Sequence, residues 1–378
     1  MSTSRFDLGI ASLSLGDCQY HSFPAKLAAA SRAGFTSIEI FDLDWAAWLE
    51  SYTEEHGLEP SSETSQRAAK SLCALVKSHG MRISCWQPLR AFEGWLNEDD
   101  RAAASNHAES ILALLPALET DLLIVCTTTT GAPRTTGDLD RCAEDLAWLA
   151  DKAAAMSPPV RIAYEGLSFG AHRRSWKDAW EVIRAADRPN LGICLDSFNS
   201  LAYEWADPYS TSGRREDIDV DGRLRDSMYD LVTTIPGHRI FIVQVADGQR
   251  MTPPMTPPED PTIPPLRPWS RGHRLFPLET DRGAYLPVQT FARAAACTGY
   301  RGPWSLEVFN NSLHDPDEAV PYSHAQRGYH GLTALLHKIS PQDSSLLTKV
   351  PSKCPTTVRS LTPDNNVSVV LSPATTCA

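Results

Sequence analysis

Along this chain, short apolar segments rich in β-branched residues alternate eight times with longer segments whose apolar residues recur at helical spacing. The predicted strands are Phe6–Ser14, Ser37–Asp42, Ile83–Pro88, Leu122–Thr127, Arg161–Gly166, Leu191–Ser197, Ile240–Asp247 and Pro303–Phe309. The predicted helices are Phe23–Ala33, Glu63–Ser78, Asp99–Leu118, Leu139–Ala155, Trp176–Ala186, Leu224–Thr234, Pro287–Cys297 and Ser323–Lys338. Because every return from one strand to the next runs through a helix, the strands are expected to be parallel. Eight of them predict a closed (β/α)8 TIM barrel.

Further features agree with a parallel α/β fold, and one of them weakens the dinucleotide-binding alternative. The strand segments are apolar along most of their length, as expected where both faces of a sheet are buried. The G-x-G-x-x-G turn of dinucleotide-binding folds does not follow the first predicted strand. Gly34, Gly80 and Gly299 stand where the C-terminus of a helix favours positive φ. Asp138 and Ser175 can cap the starts of helices.

Three segments depart from the alternation. Tyr203–Asp221, after the sixth strand, is polar and acidic. Met251–Pro268, after the seventh strand, is so rich in proline that we predict a stiff extended loop rather than a helix or a central strand. On a barrel this loop is expected to lie over the catalytic face. Residues 340–378 are rich in Ser, Thr and Pro and predict a disordered tail, which leaves residues 1–339 for the barrel.

Composition disfavours several classes of protein. The formal net charge of −11 does not favour nucleic acid or an anionic membrane as a partner. No apolar run approaches the roughly 20 residues that span a bilayer, and the N-terminus does not resemble a signal peptide. The nine cysteines are scattered and form no C-x-x-C pair, which is typical of reduced thiols in a cytoplasmic protein. The oligomeric state is left open, with a homo-oligomer as one alternative.

Oxygen-bearing side chains occupy matching places on the last four predicted strands. Glu165 ends the fifth strand and Asp196 ends the sixth. Gln244 lies within the apolar seventh strand, and Glu307 stands just before the end of the eighth. Equivalent positions on neighbouring barrel strands converge, so we expect the four side chains to meet at one point. The alternative for each residue alone is an unrelated ion pair or a cap of its own strand.

Such a set requires a cation. Burying a carboxylate costs several kcal/mol unless it is paired or coordinated. Like charges this close do not all stay ionised without a positive charge between them. Three carboxylates and one amide form an all-oxygen set that suits a hard divalent ion. The expected cofactor is one divalent metal ion, Mg²⁺ or Mn²⁺, with Co²⁺ or Zn²⁺ also tolerated.

Two strings, CLDSFN at 194–199 and DRGAYLPV at 281–288, are more specific than the metal set alone. They occur together with Ile10–Gly16, Ile38–Phe41, Gln87–Pro88, Tyr164–Glu165, Val243–Asp247, Trp269–Phe276 and Ser305–Asn310. On these residues the chain resembles the sugar-phosphate isomerase/epimerase-like (xylose-isomerase-like) barrels, which carry a Glu-Asp-(His/Gln)-Glu metal set on strands five to eight. Within that superfamily it is similar to the fungal 3-dehydroshikimate dehydratases of quinate catabolism, over roughly Leu8 to Lys338.

The resemblance implies a metal-dependent hydro-lyase that converts 3-dehydroshikimate to protocatechuate by loss of water and aromatisation. The metal would polarise the ketone while a base removes the neighbouring proton and an acid protonates the departing hydroxyl. The small-molecule substrate carries a carboxylate, which a guanidinium binds well. Arg271 and Arg274 are the candidates for that contact, and Gln87 can bond a substrate hydroxyl. Their alternatives are solvated loop arginines and a bond from Gln87 to the backbone.

The resemblance does not supply a general base. Similar bacterial enzymes carry a histidine three residues after the sixth-strand Asp, whereas this chain has Asn199, whose amide does not accept a proton at neutral pH. The candidates by position are Glu39, at the end of the second strand, and His172 and His273, near strand ends. A structural role is the alternative for each of them.

Three other functions fit parts of the pattern. An isomerase or epimerase of a small sugar or hydroxy acid would use the same fold and metal, because both reactions begin with proton removal beside a polarised carbonyl. An abasic-site endonuclease of the same superfamily is disfavoured by the net charge of −11 and the missing histidine ligands. A catalytically inactive barrel used for binding or regulation is the non-enzymatic alternative.

Overall fold

Eight parallel strands close into a barrel in the computed structural model of this chain, which describes residues 6–216 and 219–340. The strands in chain order are β1 (Leu8–Ala11), β2 (Ser37–Phe41), β3 (Arg82–Leu89), β4 (Leu122–Cys126), β5 (Arg161–Glu165), β6 (Leu191–Asp196), β7 (Ile240–Val245), β8 (Asp247–Gly248), β9 (Arg274–Leu275) and β10 (Trp304–Leu306). The barrel consists of β1 to β7 and β10, and β10 closes it by pairing with β1 and β7. The short strands β8 and β9 form a separate antiparallel pair. The predicted (β/α)8 barrel is confirmed.

Helices connect the strands. They are α1 (Phe23–Ala33), α2 (Asp42–His56), α3 (Ser62–Ser78), α4 (Glu98–Leu118), α5 (Leu139–Ala154), α6 (Trp176–Ala186), α7 (Ser197–Glu204), α8 (Val220–Thr234), α9 (Leu266–Gly272), α10 (Val288–Cys297) and α11 (Val320–Ile339). All the predicted helices are present, with small shifts at their ends. None of the described helices is long and apolar enough to cross a membrane.

The helices α2, α7 and α9 were not predicted. Helix α2 was missed although Trp45, Trp48, Leu49 and Tyr52 recur at helical spacing and pack against the core. Helix α7 starts at Ser197, within the predicted sixth strand, because the side chain of Asp196 caps its first turn. Helix α9 contains the end of the proline-rich segment, where the prediction of an extended loop is wrong. Pro268 lies in its first turn, where the backbone N–H has no helical partner to lose.

Two strand ends differ from the prediction in ways that concern the site. Strand β1 stops at Ala11, and Ser12–Leu15 form a 3-10 helix. Strand β10 stops at Leu306, so Glu307 follows the strand instead of lying within it. In both cases the chain turns away at the carboxyl end of the barrel sooner than the apolar pattern indicates.

The predicted helix ends are confirmed by the backbone. Gly34, Gly80 and Gly299 have φ of 110°, 69° and 88°, which are left-handed conformations that glycine adopts without a steric penalty. Ser175 and Asp138 each accept a hydrogen bond from a backbone N–H in the first turn of the helix that follows.

The proline-rich segment runs from β8 to α9 over the carboxyl ends of the strands. Leu266 packs against Cys126, Leu167 and Phe169, which stand at the ends of β4 and β5. The end of the segment at Leu266 therefore lies at the carboxyl ends of these strands. The predicted disordered tail at 340–378 lies, apart from Ser340, outside the described residues. Among the described residues, six cysteines are free thiols, namely Cys18, Cys73, Cys85, Cys126, Cys142 and Cys194.

A buried ion pair ties the first two β/α units together. Lys26 on α1 and Asp44 on α2 are 0% and 3% exposed, and Nζ lies 2.5 Å from Oδ1. The other oxygen of Asp44 accepts the hydroxyl of Ser12 at 2.6 Å, and this hydroxyl accepts the backbone N–H of Phe41. The pair is thus joined to the carboxyl ends of both β1 and β2.

Replacing Lys26 with methionine should lower the free energy of unfolding by about 3–5 kcal/mol, because Asp44 would stay buried without its counter-charge. Urea unfolding followed by circular dichroism measures the loss. The matched control is Lys77→Met, which breaks an ion pair of the same length with Glu119 between two largely exposed side chains. That control should change stability little. Equal losses in both variants would contradict the role of the buried pair.

Candidate metal centre

Three carboxylates meet at the carboxyl end of the barrel. Glu165 is the last residue of β5, Asp196 is the last residue of β6, and Glu307 directly follows β10. One oxygen of each lies within 4.8 Å of the others, and the three residues are only 2%, 2% and 5% exposed. The strands bring them together because parallel strands of a barrel all end at the same rim.

Gln244 lies beside this group on β7, paired in register with Asp196. It is completely buried. Its Nε2 donates to Oε2 of Glu39 at 2.8 Å, and its Oε1 accepts the thiol of Cys194 at 3.3 Å. These two hydrogen bonds fix the orientation of the amide. Its neutral Oε1 accepts only a weak hydrogen bond from a thiol among the described residues.

Arg274 supplies positive charge to the three carboxylates. It is buried on β9, and its Nη1 donates to Oδ2 of Asp196 at 2.7 Å and to Oε2 of Glu307 at 3.0 Å. Its guanidinium also donates to the hydroxyl of Ser270. Burial alone would lower the pKa of Arg274, but the charges of Asp196 and Glu307 raise it above its ordinary value. Of the two arginines that the sequence offers for a substrate carboxylate, Arg274 is the one already paired with these acids.

The centre remains short of positive charge. Burial raises the pKa of Glu165 well above its usual value, and the charges of Glu307 and Asp196 raise it further. Burial also raises the pKa of Glu307, although Arg274 opposes the shift. Arg274 is the one guanidinium hydrogen-bonded to these carboxylates among the described residues, so their negative charge is only partly compensated when they ionise, and a divalent cation would compensate it further. The all-oxygen donors and the charge deficit both fit a hard divalent ion.

Of the three candidates for the general base, Glu39 is the one hydrogen-bonded to a predicted metal ligand, Gln244. Its Oε2 accepts hydrogen bonds from Gln244, Gln87 and Cys85, while its Oε1 is buried and has no partner among the described residues. Burial raises the pKa of Glu39 to about 7, the polar side chains of Ser305, Gln244 and Cys85 oppose that rise, and the charge of Glu307 adds to it. Gln87 thus bonds a side chain rather than the backbone.

The two histidines are engaged elsewhere. His172 is bonded through Nε2 to the hydroxyl of Thr135 at 2.9 Å, and His273 through Nδ1 to Oε1 of Gln249 at 3.0 Å. Neither ring forms a hydrogen bond with the carboxylates in the part of the chain that the structure describes. Burial lowers the pKa of both imidazoles.

Arg271 is placed differently from Arg274. Its guanidinium lies over the ring of Phe309 at 4.1 Å and over that of Phe169 at 5.5 Å. No acceptor among the described residues is hydrogen-bonded to it. Burial lowers the pKa of Arg271 to about 10, although the charge of Glu307 opposes this shift. A partly buried guanidinium held between two aromatic rings, with its donors unused, suits an anion at the mouth of the barrel.

Some contacts of the site were missed by the sequence analysis. Cys126, at the end of β4, donates its thiol to Oε2 of Glu165 at 3.2 Å, and Asn199 donates Nδ2 to Oε1 of the same carboxylate at 2.8 Å. The contact of Cys126 could have been predicted from the sequence, because Cys126 is in register with Glu165 on the neighbouring strand. The contact of Asn199 could not, since it depends on helix α7, which was not predicted.

Comparison with known proteins agrees with this architecture. Residues 27–327 match the family model described as xylose isomerase-like TIM barrel. A 3-dehydroshikimate dehydratase of Neurospora crassa is 36% identical over 331 residues, which cover 85% of this chain and 91% of that relative. A protein of the same name from Pseudomonas aeruginosa is 32% identical over 77% of this chain, which spans only 36% of the bacterial relative.

Solved structures show the same fold. A xylose isomerase-like TIM barrel/4-hydroxyphenylpyruvate dioxygenase fusion protein is 27% identical with a TM-score of 0.67, over 90% of this chain and 44% of that one. The IOLI protein crystallised with a zinc atom has a TM-score of 0.66 at 15% identity, over 89% of this chain and 100% of that one. By the family model and the similarity to the Neurospora relative, the chain belongs to the xylose isomerase-like TIM barrel family.

Proposed function

We propose that this chain is a 3-dehydroshikimate dehydratase, a lyase that converts 3-dehydroshikimate to protocatechuate and water. The observation that carries the proposal is its similarity to the Neurospora crassa enzyme of that name over nearly the whole of both chains. Two Pseudomonas relatives with the same name, 32% and 31% identical, support it. The acidic centre at the mouth of the barrel gives the reaction a site.

The reaction sets three demands on the protein. A proton must leave the carbon next to the ketone, and a ring hydroxyl must depart together with a proton. The carboxylate of the substrate must be held so that the reacting carbons lie over the acidic centre. Loss of a proton and a hydroxide removes one molecule of water, and tautomerisation completes the aromatic ring.

We assign Glu165, Asp196, Gln244 and Glu307 as the ligands of one divalent metal ion. When bound, such an ion would polarise the ketone and make the neighbouring proton more acidic. The support is the partly compensated negative charge of the three carboxylates, together with the oxygen donors. Gln244 fits the set because its Nε2 donates to Glu39, while its Oε1 accepts only the thiol of Cys194 among the described residues. Mg²⁺, Mn²⁺, Co²⁺ and Zn²⁺ are the candidate ions.

Arg271 is assigned to the substrate carboxylate. Its guanidinium has unused donors in a planar array, and two phenylalanine rings hold its plane. Arg274 is assigned instead to Asp196 and Glu307, where it reduces the repulsion between them. Glu39 is the favoured group for proton transfer, through the unpartnered Oε1, because the carboxylate contacts both Gln244 and Gln87.

Purified protein supplied with 3-dehydroshikimate and a divalent ion should produce protocatechuate, detected by its ultraviolet absorbance and by chromatography. A chelator should abolish the reaction, and Mg²⁺, Mn²⁺ or Co²⁺ should restore it. Protein that binds metal but forms no protocatechuate would overturn the dehydratase assignment in favour of an isomerase or epimerase. Turnover that survives complete removal of metal would overturn the metal assignment.

Replacing Glu165 with alanine should remove both metal binding and turnover, because the ion would lose one of its three charged ligands. Isothermal titration with Mn²⁺ and the product assay measure the two losses. The matched control is Glu204→Ala, which removes another buried glutamate, bonded to Ser227 rather than to the carboxylate group. The control should lose stability but keep metal binding and turnover. A barrel that only binds or regulates would show no difference in turnover between the two.

Replacing Arg271 with methionine should raise KM about 10- to 100-fold, because hydrogen bonds to a charged group contribute about 1.5–3 kcal/mol each. The change in kcat should be smaller, since the residue is assigned to binding. Steady-state kinetics with 3-dehydroshikimate measure both constants. Arg267→Met, at an exposed arginine of the same helix α9, is the control and should leave KM unchanged. An unchanged KM in the Arg271 variant would remove this residue from the substrate site.

A further inference from the structure

Asn199 is buried at the junction of two parts of the site. It lies in the first turn of α7 and is 1% exposed. Its backbone N–H donates to Oδ1 of Asp196 at 2.6 Å, and its Nδ2 donates to Oε1 of Glu165 at 2.8 Å. Two of the three clustered carboxylates are therefore bonded to this one residue.

The other end of the same amide holds a loop. Oδ1 of Asn199 accepts both the backbone N–H and the hydroxyl of Ser168, each at 3.1 Å. Ser168 immediately precedes Phe169, whose ring lies against the guanidinium of Arg271. The donors of the amide face the acidic centre, and its acceptor faces the segment that supports the proposed carboxylate-binding arginine.

We infer that Asn199 is a positioning residue that orients Glu165 as a metal ligand and fixes the loop under Arg271. This inference rests on the proposed function, since it gives Asn199 a part in the same site. A neutral amide suits the role because it can donate to an ionised carboxylate without changing the charge of the centre. A residue without a donor would leave Oε1 of Glu165 less well oriented and its ionised form less stabilised.

The size of the effect follows from the general behaviour of groups that hydrogen-bond metal ligands. Loss of such a partner typically weakens metal affinity about 10- to 100-fold. A residue that only stabilised the fold would lower the unfolding temperature and leave the affinity of the folded protein unchanged. Metal affinity therefore separates the two roles.

The experiment measures Mn²⁺ affinity of the full chain after treatment with chelator, by titration followed by electron paramagnetic resonance of the free ion. Asn199→Ala should raise the Kd at least about tenfold. The matched control is Asn190→Ala, at an amide that donates to the carbonyls of Ala150 and Val160 at the opposite end of β6. The control should lower the unfolding temperature without changing the Kd. Equal Kd values in wild type and Asn199→Ala would overturn the inference.

Two further variants complete the test. Asn199→Ser keeps a polar side chain but is too short to reach Glu165, so it should weaken Mn²⁺ binding even if the alanine variant does not fold. Ser168→Ala keeps the bond to Glu165 and removes one donor to the amide, so it should raise KM for 3-dehydroshikimate while the Kd for Mn²⁺ stays as in wild type. An unchanged KM in that variant would overturn the link to the loop.

The outcomes also separate this inference from the proposed function. Wild-type protein that binds Mn²⁺ more tightly than the Asn199 variants, yet forms no protocatechuate, would support the positioning of Glu165 and overturn the dehydratase assignment. Wild-type protein that forms protocatechuate, with Asn199 variants that bind Mn²⁺ equally well, would overturn only the positioning role. Wild-type protein that binds no divalent ion would overturn the inference and the metal assignment together.

Discussion

The mutual repulsion of three buried carboxylates is the constraint around which the mouth of this barrel is organised. Glu165, Asp196 and Glu307 end or follow three strands and lie almost out of contact with water. Burial raises the pKa of Glu165 and of Glu307, and the charges of the neighbouring acids raise both further. A fold that keeps the three acids together must supply positive charge, and the neighbouring side chains are arranged to do so.

The segment between β7 and β10 brings two arginines to this rim. Helix α9 carries Arg271 and the following strand β9 carries Arg274. Arg274 is bonded to two of the acids, while Arg271 lies between aromatic rings with its donors unused. Two arginines three residues apart therefore have different environments, because one lies inside the acidic centre and the other at its edge. The proline-rich stretch that precedes them packs onto the ends of β4 and β5 through Leu266 and joins this segment to the rim.

Neutral thiol and amide groups donate hydrogen bonds to Glu165 and to Glu39. The thiol of Cys126 and the amide of Asn199 bond Glu165, and the amide of Gln244 bonds Glu39, which also accepts Gln87 and the thiol of Cys85. The raised pKa of the buried thiols keeps them protonated, so they donate hydrogen bonds without adding charge. Such neutral donors can orient the carboxylates without changing the net charge of the site.

The alternation of apolar runs and helical segments was sufficient to predict the barrel and the rim at which Glu165, Asp196 and Glu307 meet. Both follow from short-range periodicity and from the rule that parallel strands end on one side of the sheet. The sequence could not reveal that Arg274 pairs with the acids, that Asn199 holds Glu165, or that His172 and His273 are bonded away from the centre. These contacts join residues that are 24 to 78 positions apart or depend on α7 and α9, which the periodicity did not predict. Local pattern indicates which residues come to the rim of the barrel, whereas the partner of a side chain at that rim is decided only when the closed barrel brings distant loops over it.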